Sequence, residues 1–230
     1  MNEWVQYQIE GGVATITLCH GKVNALSPEV IAAVNTGLDR AQEAGAVVIL
    51  TGQTGIFSGG YDLKVMKTGP DAARDMVAAG SALTLRMLGH PQPIIVACTG
   101  HAIAKGAFLL LACDYRIGVE GPFHIGLNEV KIGVTMHHVG IELARDRLSP
   151  AVFQRAVNNA EMFSPHAALA AGFFDALVAP DQLMNAARAM AALLMQLNGV
   201  AHTQTKRKVR KALLDTLASA IEVDKLTGLN

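Results

Sequence analysis

Apolar and polar residues alternate at Val5, Tyr7 and Ile9, a Gly11-Gly12 pair follows, and Val13–Leu18 is rich in β-formers. That pattern predicts an antiparallel hairpin at the start of the chain. Ser27-Pro28 then supplies an N-cap with proline at the first helical position, and Val30, Val34, Leu38 and Ala41 recur at helical spacing until Gly45. The helix leads into a continuous apolar run, 46–50, which reads as a buried strand. The rhythm repeats twice: a helix over 71–88 before a strand at 94–98, and a short apolar helix after Gly106 before a strand at 115–119. From about Ser149 the pattern becomes mostly helical, with helices near 150–158, 165–171, 181–197 and 203–223 and one short strand around 176–178. The alternation argues for an α/β class. No Pro- or Ser-rich linker separates the two parts, so we divide the chain into a core, 1–179, and a helical appendage, 180–230.

Within the last predicted helix, Val209, Leu213, Leu217 and Ile221 form an apolar stripe that must lie on the core or on a neighbouring subunit. Lys206, Arg207, Lys208, Arg210 and Lys211 beside it read as a solvated basic face, or as an attractor for phosphates or an acidic neighbour.

Composition narrows the function. The 230 residues are 51% hydrophobic and 17% charged, with 19 basic and 19 acidic side chains. There is no basic field for nucleic acid, so a small molecule becomes the expected ligand. Apolar runs reach seven residues at Ala107–Cys113, against the ~20 of a bilayer span. No signal or transit segment is visible in MNEWVQYQIE, which points to the cytoplasm. The three cysteines show no metal-ligand spacing. Neither GxGxxG nor GxxxxGK[ST] occurs, and Ser58 in GIFSG stands one place too late for a nucleophile elbow.

Three glycine-bearing segments remain: Phe57–Leu63 (FSGGYDL), Thr99–Ala107 (TGHAIAKGA) and Ile125–Gly133 (IGLNEVKIG). The first two follow predicted strands and precede helices, where free backbone N–H groups can face an anion or a developing oxyanion. Each turn alone can be a mere chain reversal, and Glu129 alone a loop carboxylate or cap.

Together with Asn24-Ala25-Leu26, the CDYRI run at 113–117 and Ala168–Asp175, these segments make the chain resemble the crotonase superfamily, the enoyl-CoA hydratases and isomerases. The resemblance implies a spiral of ββα units with a helical C-terminal trimerisation region. It also implies an acyl-CoA thioester whose carbonyl oxygen is held by two backbone amides, which map to Tyr61 and Lys105. No cofactor beyond the coenzyme A of the substrate is implied, and the expected assembly is a homotrimer or hexamer.

The family's hydratases use two glutamates; here the first position is Phe108 and the second is Glu129. Phenylalanine moves no proton, and one carboxylate suffices for a Δ3,Δ2-enoyl-CoA isomerase. Hydration or hydrolysis on the same scaffold, or a noncatalytic acyl-CoA-binding trimer, stand as alternatives. The resemblance further suggests coenzyme A contacts from Lys22, Ala25, Ser58, Gly59, Asp62 and Leu63, and an acyl pocket lined by Gly106, Phe108, His137 and His138. Lys105 departs from the family's usual glycine, so its ammonium is expected at the thioester oxygen, at a phosphate, or narrowing the acyl channel. Asp62 and Asp114 also read as turn-fixing or structural carboxylates.

Overall fold

The computed structural model describes residues 3–227. The predicted hairpin is present as β1 (Val5–Glu10) and β2 (Val13–Leu18), paired antiparallel from Val5–Leu18 to Glu10–Val13. Helix α1 (Pro28–Glu43) starts where the sequence places it: the Ser27 hydroxyl accepts from the Val30 amide. Its buried face is Val30, Ile31, Val34, Leu38 and Ala41.

Three successive units then build a spiral. In each, one strand enters a larger sheet, the next enters a smaller sheet, and helix follows. The first comprises β3 (Val47–Thr51), β4 (Gly55–Ser58), α2 (Leu63–Met66) and α3 (Pro70–Gly89). The second comprises β5 (Ile94–Cys98), β6 (Gly100–Ile103) and α4 (Lys105–Leu111). The third comprises β7 (Tyr115–Val119), β8 (Ile125–Gly126), a 3₁₀ turn at Val130–Ile132 and α5 (His138–Arg147). The chain ends with α6 (Pro150–Val157), β9 (Met162–Phe163), α7 (Pro165–Ala171), β10 (Ala176–Val178), α8 (Leu183–Leu194), α9 (Gly199–Val209) and α10 (Lys211–Thr227).

The larger sheet has the order β1-β2-β3-β5-β7-β10 and the smaller β4-β6-β8-β9. In the smaller sheet β4, β6 and β8 run parallel. Their C-terminal ends therefore lie side by side, and the three glycine-bearing segments of the sequence all emerge from that one edge.

Apolar strands buried on both faces hold the large sheet in place, as expected for a mainly parallel arrangement. Val48, Leu50, Ile94 and Val96 face a core shared with α1, α3, α4 and α5. Val47, Ile49, Ile95 and Ile117 face Leu183, Ala187 and Ala191 of α8. The appendage is thus packed on both sides of the core, since Leu213, Leu217 and Ile221 of α10 join the first cluster. Among the described residues no helix is long and apolar enough to cross a membrane.

Two expectations need correction. The single helix predicted over 203–223 is two helices broken at Arg210, and Val209, counted in the stripe, is 76% exposed. The basic cluster is not a uniformly solvated face. Lys206 is buried and reaches Asp114 at 2.8 Å, and Arg210 reaches the same carboxylate at 3.0 Å. The Asp114 carboxylate also accepts from the Ile94 amide at 2.7 Å, so these cations tie α9 to the sheet and are consumed there. Neither α5 nor the strands of the small sheet are marked by the hydrophobic pattern, although the resemblance to a spiral of ββα units implies the latter.

Candidate active site

Turn 59–62 is built by hydrogen bonds from the segment that carries Asn24-Ala25-Leu26. The Asn24 amide group donates to the carbonyls of Ile56 and Phe57 at 3.2 and 3.1 Å. Ser58 Oγ donates to the Asn24 carbonyl at 2.8 Å and accepts from the Gly60 amide. Gly59 N–H donates to Val23 O, Leu26 N–H to Gly60 O, and Asp62 N–H to Leu26 O. This last pair is a one-residue parallel bridge between Leu26 and Tyr61. It engages the groups flanking Tyr61 and leaves the Tyr61 N–H pointing to the other side, where no described residue accepts it.

The second turn holds a non-glycine residue in a left-handed region: Ala104 has φ 52° and ψ −123°. That geometry costs of the order of 1–3 kcal/mol, and the Ala104 amide, donating to Gly126 O at 2.9 Å, fixes it from β8. Lys105 is the first residue of α4, so its N–H has no intrahelical acceptor. The two turns touch. A methyl group on Gly60, whose φ is +97°, would lie 3.0 Å from Ala104 Cβ and 3.4 Å from Lys105 N. The free N–H groups of Tyr61 and Lys105 thus come from adjoining turns, an arrangement able to bind one carbonyl oxygen and its developing negative charge.

A cavity of about 120 Å³ lies against both turns. Gly59, Tyr61 and Ala104 form one wall; Leu63, Met66, Val77, Ile132 and Val134 make most of the rest apolar. Its polar side chains are Asn128, Glu129, Thr135 and His137, and Glu129 is the one carboxylate among them. Glu129 is only 8% exposed, and its Oε2 has no hydrogen-bond partner. Burial pushes its pKa up to about 7, opposed by its own backbone N–H and by the Lys105 ammonium. The His137 imidazole is held neutral, its pKa driven down to about 4 by burial with Lys105 adding to the effect. A neutral imidazole is not a strong acid near neutrality and offers one N–H donor and one acceptor nitrogen instead.

Other residues singled out in the sequence lie elsewhere. Phe108 is buried behind His137, ring centroids 5.4 Å apart, and does not reach the cavity. Gly140 makes that packing possible, because a methyl group there would sit 2.7 Å from the Phe108 ring. Gly106 is covered by Ser58, whose carbonyl a methyl group would meet at 2.4 Å. His138 turns outward to the Asp224 carboxylate at 2.7 Å, and Asp224 also accepts from the His138 and Val139 amides to cap α5. None of Phe108, Gly106 and His138 lines the cavity, whereas His137 does.

Of the proposed coenzyme A contacts, Ser58 is fully buried and spends its hydroxyl inside the turn. Asp62 caps α2 by accepting from the Lys64 amide. Gly59 and Leu63 line the cavity, Lys22 is exposed, and Ala25 is half-buried with its carbonyl bonded to His20 Nδ1. The Lys105 side chain enters neither the cavity nor solvent: its ammonium donates to the Gly80 carbonyl and the Thr84 hydroxyl of α3. Burial lowers its pKa to about 7.

Sequence reasoning missed Val77, Met66, Ile132 and Val134 as cavity walls. Val77 and Met66 sit on helical segments whose apolar residues read equally well as core, and nothing local distinguishes them. A larger groove, about 650 Å³, runs past Pro93, Leu197, Val200 and Arg207, but no carboxylate lines it.

Comparison with known proteins fits this geometry. The family model described as enoyl-CoA hydratase/isomerase matches residues 8–227. The chain belongs to the enoyl-CoA hydratase/isomerase family. A solved family member from Pseudomonas syringae is 62% identical, with a TM-score of 0.98 and 99% of each chain covered. Mouse mitochondrial enoyl-CoA delta isomerase 1 is 30% identical across 97% of this chain and 80% of its own length. A probable enoyl-CoA hydratase of Mycobacterium tuberculosis is also 30% identical, across 79% of this chain and 70% of its own. The chain is therefore an enzyme of a family acting on acyl-CoA substrates, and relatives named for two different reactions are each 30% identical to it.

Proposed function

We propose that the protein is an enoyl-CoA isomerase that converts 3-enoyl-CoA to 2-enoyl-CoA with one carboxylate. The observation that carries this reading is the cavity itself, in which Glu129 is the one carboxylate and shares the space with the two turns that present free amides. Glu129 takes a proton from C2, and the electron pair moves into a dienolate whose thioester oxygen is held by the N–H groups of Tyr61 and Lys105. The same carboxyl group returns the proton to C4, the double bond settles between C2 and C3, and Glu129 is ionised again.

The environment of Glu129 suits both halves of the cycle. A pKa of about 7 leaves the carboxyl close to evenly divided between acid and base near neutrality. Oxyanion donors of this kind are worth roughly 3–4 kcal/mol each. Hydration asks for a second group to orient and activate water, and the position that supplies one in the family's hydratases is the buried Phe108 ring.

Assembly into a homotrimer or hexamer belongs to the same proposal. The exposed apolar side chains Leu193, Val200 and Val209 on the C-terminal helices and Leu197 between two of them support it, and sedimentation analysis tests it. For the reaction, 3-enoyl-CoA and 2-enoyl-CoA are supplied separately. Consumption of the 3-enoyl thioester to give the 2-enoyl isomer, with no 3-hydroxyacyl product from either, is expected. Hydroxyacyl formation from the 2-enoyl thioester would overturn the reading in favour of hydration.

A further inference from the structure

The two residues whose amides form the oxyanion hole also send their side chains to one helix. Tyr61 Oη donates to the Val77 carbonyl at 3.3 Å. Lys105 Nζ donates to the Gly80 carbonyl at 2.6 Å and to the Thr84 hydroxyl. Val77, Gly80 and Thr84 follow one another at spacings of three and four, along one face of α3. The fit is close. Gly80 has no room for a methyl group, which would lie 2.1 Å from Tyr61 Oη, so the phenol rests directly on the helix backbone. Thr84 Oγ1 in turn donates to the Gly80 carbonyl at 3.1 Å, so the lysine, the threonine and the carbonyl close a small buried ring of contacts.

Helix α3 is a firm reference. Its Met76, Leu83 and Met87 are fully buried in the core, and Arg86 binds Asn35 and Asp39 of α1. A lysine 1% exposed with two neutral oxygen acceptors is a costly way to fill space, and an apolar chain would fill it without desolvating a charge. Such breaches of packing logic concentrate where function requires them.

We propose that Lys105 and Tyr61 are positioning residues: their side chains peg the two oxyanion amides to successive turns of α3, so that this helix sets the separation and aim of the donors. The inference rests on the reading of those amides as the oxyanion hole. Neither side chain touches the thioester. Each acts through its own backbone, which the peg prevents from rotating when negative charge builds on the carbonyl oxygen.

Lys105→Met keeps the stem and deletes the donor, Tyr61→Phe deletes the phenol hydroxyl, and Thr84→Val removes an acceptor while keeping the shape. Two readouts are taken on the purified full chain. One is kcat and KM with 3-enoyl-CoA. The other is the fraction of bound acetoacetyl-CoA present as enolate, followed by near-ultraviolet absorbance, which requires no turnover. Misplaced donors lower kcat in Lys105→Met by about 10-fold with KM within about twofold, and Thr84→Val and Tyr61→Phe by about 3- to 5-fold. The bound enolate fraction falls in the same order. Lys105→Met combined with Thr84→Val is no worse than Lys105→Met alone, because the two share one contact.

A folded Lys105→Met with parental kcat and parental enolate fraction, and only a changed melting temperature, would overturn the proposal in favour of a purely structural lysine. Should that variant not fold, Thr84→Val and Tyr61→Phe carry the same decision. Failure of the isomerase reading looks different: a parent protein that binds the enolate yet does not isomerise 3-enoyl-CoA. A parent that binds no enolate removes the oxyanion hole, and with it the pegs.

Discussion

Replacing Glu129 with Gln should disable the enzyme and, above neutral pH, make it more stable. The carboxyl is 8% exposed and its pKa rises from 4.5 to about 7 on folding, mainly through burial. A group whose pKa is raised in the folded state contributes its stability in full below the unfolded value and loses it as the pH rises through the folded value. For Glu129 the loss therefore runs from about pH 4.5 to just above pH 7. At about 1.4 kcal/mol per pKa unit, the ionised carboxylate costs the fold roughly 3 kcal/mol by pH 8. Gln carries no such cost, although removing the negative charge also withdraws support from the Lys105 ammonium. A net gain of about 1–3 kcal/mol at pH 8 follows, or roughly 3–8 °C in melting temperature for a chain of this size. At pH 4.5 the gain vanishes. Over the same range the variant has no base, so turnover of 3-enoyl-CoA falls by about 10³-fold, equivalent to ~4 kcal/mol in the barrier. Thermal melts at pH 4.5 and pH 8, beside initial rates of 2-enoyl-CoA formation, measure both effects. Near-parental turnover, or a melting temperature that falls at pH 8, would refute the reasoning.

Further outcomes follow from the same geometry. The acid limb of kcat/KM should rise with pH through about 7, because Glu129 must be ionised to take the first proton; a rate–pH profile with its acid limb near 4.5 would place the base in solvent. Asn24→Ala removes a partly buried hydrogen bond to Ile56 and a buried one to Phe57 and puts alanine at φ 47°. A loss of about 2–4 kcal/mol in denaturant unfolding is expected, with reduced kcat as the Tyr61 turn loosens. Phe108→Glu should not create a hydratase, because the new carboxylate lies behind His137 against Gly140. It should cost roughly 3 kcal/mol or more of stability, measured by melting and by assay for 3-hydroxyacyl-CoA.

The large sheet was legible in the sequence because its strands are long and apolar and its helices carry clear stripes, as at Val30, Val34, Leu38 and Ala41. The small sheet was not, because β4, β6 and β8 are two to four residues long and rich in glycine, so that they read as turns. Yet those strands align the three functional segments at one edge. Helix α5 was missed for a different reason: its buried face, Val139, Gly140, Leu143 and Ala144, is short and carries a glycine among charged neighbours, and its N-terminus is capped from 86 residues away, by Asp224.

At the site, the residue types pointed correctly to a carboxylate and a pair of turns, but directions of side chains are settled by tertiary contacts. Lys105 aims at α3, Ser58 folds into its own turn, and His137 and His138, adjacent in sequence, face opposite ways. The basic cluster at 206–211 shows the same limit. Its two inward cations answer a single carboxylate, Asp114, whose place beside them depends on how α9 meets the Pro91-Gln92 segment ahead of β5.

The most direct test of the account is a crystal structure with a nonreactive acyl-CoA analogue, read at the thioester. The account predicts a carbonyl oxygen 2.7–3.1 Å from the amides of both Tyr61 and Lys105, with a Glu129 oxygen within about 3.5 Å of C2. A thioester bound with its carbonyl turned away from those amides, or with Glu129 rotated out of reach of C2 and C4, would contradict it.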